Sequence, residues 1–303
     1  MTQPSLLHVK ANACADADTL ASFDAASMGL IDLGGVVHQE CWCGPSDQFS
    51  FVDIRLNDPI DQDPAPVVEE AYLALFSQAK EQGFPSALRI WQFIPGINEG
   101  SGDQERYRRF CVGRAEALRQ LNLADHQMCA ATAIGCHDET FRLVGLFGRI
   151  AGESIENPRQ VSAWQYPREY GPVSPAFARA TIASLNGRDA SDGLGLMISG
   201  TAAVVGHASA HPNDVLAQTE EAMINVERIL EEASATSSGG FLDWGQHTMV
   251  RVYLRNPNDW DSVCAAIHHR WPAVQLMGVQ GDICRRELLV ELEAWHPSQE
   301  VVE

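Results

Sequence analysis

Residues 193–199 read GLGLMIS, a short apolar run that enters Gly200 and Thr201 and then a loop closing at Pro212. Either Asn213 or Asp214 can cap a following helix, and Val215, Thr219, Ala222, Val226 and Ile229, with Leu216, Met223 and Leu230, recur at helical spacing to about residue 233. The stretch 249–254 (MVRVYL) alternates as a strand does, Asn256-Pro257-Asn258-Asp259 reads as a turn and cap, and 260–269 is expected to be a second helix. Strands over 273–279 and 288–295 finish the unit. The order strand, helix, strand, helix, strand, strand describes an α+β layer, helices packed on one face of a mixed sheet.

A similar order appears upstream. Residues 88–94 (LRIWQFI) run into Pro95, Gly96 and Asn98 as 249–254 runs into its own Asn-Pro-Asn, and a helical stretch follows over about 104–121. Residues 130–134 (AATAI) then parallel 273–279, and 143–147 (LVGLF) parallel 289–293 (LVELE). We read a tandem duplication, with a degenerate N-terminal module over 1–160 and a C-terminal module over 161–303. Candidate strands at 30–37 and 49–56 would complete the first sheet, the rest of 1–60 shows little pattern, and 234–240 (SATSSGG) reads as a mobile surface loop. On this alignment Glu291 and Glu293 stand where the first copy has Gly145 and Phe147. Leu288, Val290, Leu292 and Ala294 point one way along the last strand, and Leu289, Glu291, Glu293 and Trp295 the other. Two readings stay open: paired surface acids on a solvent-facing strand, or a desolvated acid of raised pKa.

The 303 residues carry 21 basic and 40 acidic side chains, a formal net charge of -19. Length suits one large domain or two medium ones, able to bury a core without covalent staples. Such acidity repels polyphosphate except at a local basic pocket, which argues against a nucleic-acid partner. No basic stretch followed by an apolar core opens the chain, and no apolar run approaches the roughly 18 residues of a membrane helix, so a soluble, cytoplasmic protein is expected. The eight cysteines (Cys14, Cys41, Cys43, Cys111, Cys129, Cys136, Cys264 and Cys284) are expected to be reduced thiols. His38, Cys41 and Cys43 with Cys136-His137 lack the Cys-x-x-Cys spacing of a zinc site, and His207 and His211 lack the glutamate of His-Glu-x-x-His, so no metal is assigned. Gly193-x-Gly195 is too short for a dinucleotide motif.

Tyr170-Gly171-Pro172-Val173-Ser174-Pro175, the strand into Ser199-Gly200-Thr201-Ala202, the helix start Asp214-Val215-x-x-Gln218-Thr219 and the closing Val290-Glu291-Leu292-Glu293-Ala294 resemble the RidA/YjgF fold over residues 165–296. Longer blocks are similar to the chorismatases over most of 88–295: Tyr107-Arg108-Arg109-Phe110-Cys111-Val112-Gly113-Arg114, Asn157-Pro158-Arg159-Gln160-Val161-Ser162-Ala163, Tyr166-Pro167-x-x-Tyr170-Gly171-Pro172, Ser174-Pro175-Ala176-Phe177-Ala178-Arg179-Ala180 and Gly200-Thr201-Ala202. Within that family the chain most resembles the hydroxybenzoate synthases that serve aryl polyene pigment and ubiquinone supply. The resemblance implies two RidA-like modules and cleavage of the small molecule chorismate to 3- and/or 4-hydroxybenzoate and pyruvate, with no metal or organic cofactor; a homo-oligomer is compatible with it. It also implies that Glu291 is the catalytic glutamate. Cys284 falls where hydroxybenzoate-forming members carry cysteine and purely hydrolytic members a small aliphatic residue. One departure stands out from RidA-type deaminases, which have Pro-Ala-Arg where this chain has Pro272-Ala273-Val274.

Chorismate carries two carboxylates, which guanidinium groups hold better than ammonium groups do. The candidates are Arg179, Arg109 and Arg114, with Arg188 weaker, each weighed against a surface or structural role. Tyr170 and Tyr166 offer hydroxyls or half-buried packing, and the Gly200-Thr201 block is carried with them as substrate-binding. Enol ether cleavage needs a proton on the terminal methylene carbon, hence an acid still protonated near neutral pH; burial would have to raise Glu291 by two units or more, within the known range for buried carboxylates. Cys284 is either part of that site or an inert buried thiol. The rivals are an imine deaminase, weakened by Val274, and a non-catalytic small-molecule-binding module.

Overall fold

The computed structural model describes residues 40–43, 49–184, 194–236, 240–241 and 243–298. The candidate strand at 30–37, the N-terminal stretch, Arg188, His38, Cys14 and Gly193 lie outside the described residues, as do the side chains of Cys41 and Cys43 and most of the expected loop after residue 236.

The N-terminal half runs β1 (Glu40–Cys43), β2 (Phe49–Asn57), α1 (Ala65–Glu81), β3 (Ser86–Pro95), α2 (Arg106–Gln120), β4 (Ala130–Cys136) and β5 (Thr140–Gly148). After β6 (Glu153–Ile155) the C-terminal half runs β7 (Ala180–Ser184), β8 (Leu194–Ala202), the short pair β9 (Val204–Val205) and β10 (Ala208–Ser209), α3 (Val215–Thr236), β11 (Met249–Leu254), α4 (Trp260–Arg270), β12 (Gln275–Gln280), β13 (Asp282–Ile283) and β14 (Val290–Pro297). The first sheet is ordered β1-β2-β5-β3-β4 and the second β7-β8-β14-β11-β12. Within each the fourth and fifth strands pair in parallel, β3 with β4 and β11 with β12. Strand for strand, the two modules follow one path, which is the α+β tandem expected from the pattern.

Asp214 caps α3, its Oδ1 accepting from the Ala217 amide at 3.0 Å. Residues 65–81 lie outside every expected element, yet form α1; Pro64 stands at its N-cap, and Asp63 just ahead of it accepts from the Ala65 amide at 3.1 Å. Val68, Ala71, Tyr72, Leu75 and Ala79 give α1 a buried stripe at helical spacing, and the chain leaves it through Gly83 at φ 86. Two crossings tie the modules together: β6 pairs with β7, so a boundary after residue 160 leaves β6 on the wrong side, and β13 leaves the C-terminal half to pair with β4.

Helices cover the outer face of each sheet. Val52, Ile90, Leu143 and Phe147 meet α1 and α2, while Ile198, Val252, Val290 and Leu292 meet α3 and α4. The two inner faces pack on each other, through Phe51, Leu88, Trp91, Val144, Leu146 and Met197 at one end and Ile134, Ala202, Tyr253, Ile283 and Leu288 at the other. The result has four layers, helix, sheet, sheet, helix, with both faces of the central strands buried and the edge strand β12 only half-buried.

This layering corrects the residue-level alignment of the copies. Phe147 meets Phe76 of α1 edge-on at 5.4 Å between ring centroids, and a side chain at Gly145 would strike Phe147 and Leu75, so both positions face the helices. Glu293 instead bonds residues of the opposite sheet. The inward counterparts on β5 are therefore of Val144 and Leu146 parity, one residue off the expected pairing.

Candidate active site

Glu291 and Glu293 stand on the inner face of β14 and are 4% and 6% exposed, which removes the reading of paired surface acids. The strand beside them is irregular. Leu292 pairs with Thr201 and Ala294 with Ile198, so Ser199 and Gly200 both oppose the single residue Glu293. This β-bulge turns two successive residues toward the N-terminal module. The Ser199 hydroxyl accepts from the Ala131 amide at 2.9 Å, and the Gly200 amide donates to Thr132 Oγ1 at 2.9 Å. Any side chain at 200 would place its Cβ 1.8 Å from Glu291 Oε1, so glycine is what admits the carboxyl group.

The two glutamates have opposite surroundings. Glu293 accepts from Arg89 Nη2 at 2.7 Å, Trp91 Nε1 at 3.0 Å, Thr132 Oγ1 at 2.6 Å and the Tyr253 hydroxyl at 3.1 Å, and it pairs with Arg251. Burial alone would raise its pKa, but Arg251 and Arg89, with the bonds from Thr132 and Trp91, hold it at about 2. No described residue hydrogen-bonds the Glu291 carboxyl group. Burial first, then the charge on Glu293, push it up to about 8 against the pull of Arg89 and Arg179. At neutral pH the pair is one fixed anion and one neutral acid, and the neutral one opens on a cleft.

The cleft is open to solvent and, counted out to its mouth, spans about 670 Å³. It lies where α2, the 160–179 segment, the bulge of β8 and the 281–289 loop converge, and Arg179, Arg285, Tyr166, Tyr170, Cys284 and Glu291 carry its chemistry. Arg179 Nη2 donates to the Val161 carbonyl at 2.8 Å and to the Tyr166 hydroxyl at 2.9 Å, while Nη1 has no partner among the described residues. Its guanidinium is braced over Phe177 at 5.0 Å. Arg285 lies 4.1 Å over the ring of Tyr170 and is fixed by the His207 carbonyl and Ser209 Oγ at 2.9 and 3.0 Å. Cys284 is half-buried, and its thiol is pushed up to about 12 by burial and by Glu291, against Arg285. It is a neutral S–H, not a thiolate.

The structure brings together Glu291, Cys284, Arg179, Tyr170, Tyr166 and Gly200 around this cleft. It places three other expected site residues elsewhere. Arg109 is held on the outside by a fork to Asp63. Arg114 is buried 5.0 Å from the Phe110 ring centroid, with Nη2 on Cys111 Sγ at 3.5 Å. Thr201 directs its hydroxyl to the Ser199 carbonyl at 2.8 Å. Arg285 and Arg108 line the cleft without having been expected there. Val274 is buried in the core beneath the helices, so its strand start sends no group into the cleft. Among the described residues no three His, Cys, Asp or Glu side chains gather as a metal-binding group, and no helix is long and apolar enough to cross a membrane.

Known proteins are similar to this chain over most of its length. The family model described as chorismatase FkbO/Hyg5-like, N-terminal, matches residues 35–146. A 3-hydroxybenzoate synthase of Streptomyces hygroscopicus is 38% identical over 230 residues, spanning 74% of this chain and 67% of its own. The chain belongs to the chorismatase family. A chorismatase of Streptomyces rapamycinicus is 37% identical over 230 residues, spanning 73% of this chain and 67% of its own. A chorismatase crystal structure superposes with a TM-score of 0.73 at 31% identity, covering 85% of this chain and 79% of that one. At that coverage the chorismatase relationship extends over both halves of the chain.

Proposed function

We propose that this chorismatase converts chorismate to hydroxybenzoate and pyruvate, with Glu291 as general acid. The observation that carries the reading is a buried carboxyl group with a pKa of about 8, without a hydrogen-bond partner among the described residues, beside guanidinium groups that are already oriented. Arg179, through its open Nη1, and Arg285, held on the faces of Tyr170 and Tyr166, each take one carboxylate of the substrate. Glu291 protonates the terminal methylene carbon; the resulting oxocarbenium ion draws the electron pair of the ring carbon–oxygen bond onto oxygen, so that pyruvate leaves, and the ring cation then gives a proton back to the Glu291 carboxylate and becomes aromatic. Hydroxybenzoate and pyruvate together contain the atoms of chorismate, so this route consumes no water and needs no oxidant. The neutral thiol of Cys284 occupies space at the ring and keeps water from the cation, which would otherwise give a dihydroxycyclohexadiene carboxylate.

Incubation with chorismate, with pyruvate followed by a lactate dehydrogenase couple and aromatic products by chromatography, tests the reading. Equal amounts of pyruvate and hydroxybenzoate are expected. An imine deaminase or a binding module releases no pyruvate from chorismate, and either result would replace the proposal.

A further inference from the structure

Cys284, Arg285 and Leu288 all reach the cleft from one loop, residues 281–289, which has little regular structure of its own. Its shape is imposed from outside. The guanidinium of Arg255, which follows β11, uses all three nitrogens on it: Nε donates to the Leu288 carbonyl at 3.0 Å, Nη1 pairs with Asp282, and Nη2 donates to the Ile283 and Arg285 carbonyls at 3.2 and 3.1 Å. The same Nη2 donates to Asn98 Oδ1 of the N-terminal module at 3.0 Å, and Asn98 Nδ2 donates back to the Ile283 carbonyl at 3.1 Å. The Arg255 amide donates to the Leu289 carbonyl at 3.0 Å, and Gly281 and Gly135 are the close approaches that let β13 lie against β4. Arg255 itself does not line the cleft.

We propose that Arg255, together with Asn98, is a positioning residue that sets Cys284 and Arg285 over the substrate, and so links the N-terminal module to the choice between aromatic and hydrated products. A flexible nine-residue loop would lose orientation at both side chains at once, whereas a planar fork bonded to carbonyls before, at and after Arg285 fixes the backbone from which they project. The proposal rests on the chorismate reading for its product consequence and on the structure alone for loop order.

The test uses full-length Arg255→Lys, which keeps the charge opposite Asp282 but not the fork, and Asn98→Ala, which leaves the guanidinium in place. Three quantities are read: the KM and kcat for chorismate, the ratio of hydroxybenzoate to diol, and the rate at which iodoacetamide labels Cys284, followed by peptide mass. KM is expected to rise about tenfold, the size of one charge-assisted hydrogen bond. Product should shift toward the diol, and Cys284 labelling should accelerate several-fold as the loop opens. Folded variants with the parent's KM, product ratio and labelling rate would overturn the proposal, and Asn98→Ala decides alone if Arg255→Lys does not fold. A parent that releases no pyruvate overturns the chorismate reading instead, and labelling then still decides whether Arg255 orders the loop.

Discussion

Glu291 and Glu293 are two residues apart on one strand face, yet one is held near a pKa of 8 and the other near 2. The difference is partner supply: Glu293 has two arginines and three hydrogen-bond donors, and its charge then helps keep Glu291 neutral. Replacing Glu291 by Gln preserves shape and removes the acidic proton, so kcat should fall by about 100-fold or more, the usual worth of a general acid, with folding intact. In the parent, kcat/KM should decline as pH rises through about 8, because the ionised form has no proton to give. Stability carries the same signature. A carboxyl raised from 4.5 to about 8 contributes stability that is fully present below 4.5 and is lost as pH rises through 8. Glu291→Gln should therefore gain stability relative to the parent between pH 5 and 8.5 in urea titrations. A constant difference across that range would mean that Glu291 is already ionised. Cys284→Ala should keep pyruvate release while moving product toward the diol; identical aromatic products in the parental ratio would leave the thiol as packing only.

Among the elements, the 160–179 segment supplies the largest share of the cleft lining, while the bulge of β8 and the loop ahead of β14 make room for Glu291 and present Cys284 and Arg285. Gly200→Ala tests the bulge: its Cβ would occupy the place of Glu291 Oε1, so the carboxyl must swing away. Activity should fall about tenfold or more while the melting temperature drops only a few degrees, because no large core group is lost. Parental kcat in the alanine variant would show that Glu291 has freedom to move without consequence. Most elements were legible from periodicity, including α3, β11 and α4 to within a few residues. The helix over 65–81 does carry a signal, since Val68, Tyr72, Leu75 and Ala79 are helically spaced and the duplication itself requires a helix between β2 and β3. The slip between Gly145 and Glu291 has a different cause. β5 is buried on both faces, against helices outside and a sheet inside, so it lacks the polar alternation that reveals which residues point where. Arg285 is not legible in the sequence because its partners, His207, Ser209 and Tyr170, are far away along the chain, and nothing in ICRRE separates a cleft arginine from its surface neighbour.

At the scale of the whole molecule the chorismatase blocks and the acids of β14 pointed to the cleft, but the means by which two modules become one body were not legible, because they are contacts between strands some 160 to 200 residues apart. Arg89, Trp91 and Thr132 belong to the first sheet and Glu293, Arg251 and Tyr253 to the second, and the six form one buried polar cluster where the inner faces meet. An anion buried at a joint makes the joint obligatory. If the modules separated, Glu293 would keep only Arg251 and Tyr253, and the first sheet would retain an unpaired Arg89 that is 2% exposed in the native state. The two halves should therefore open together rather than one at a time. Arg89→Met keeps the bulk of the side chain and removes its charge, at an expected loss of about 3–5 kcal/mol, the usual cost of stripping one partner from a buried ion pair. Native-state hydrogen exchange read on β4 and β14 peptides resolves the modules separately. Protection should fall by the same free energy in both. If β14 lost protection while β4 kept the parental value, the cluster would be local to the second sheet and the modules would be independent folding units.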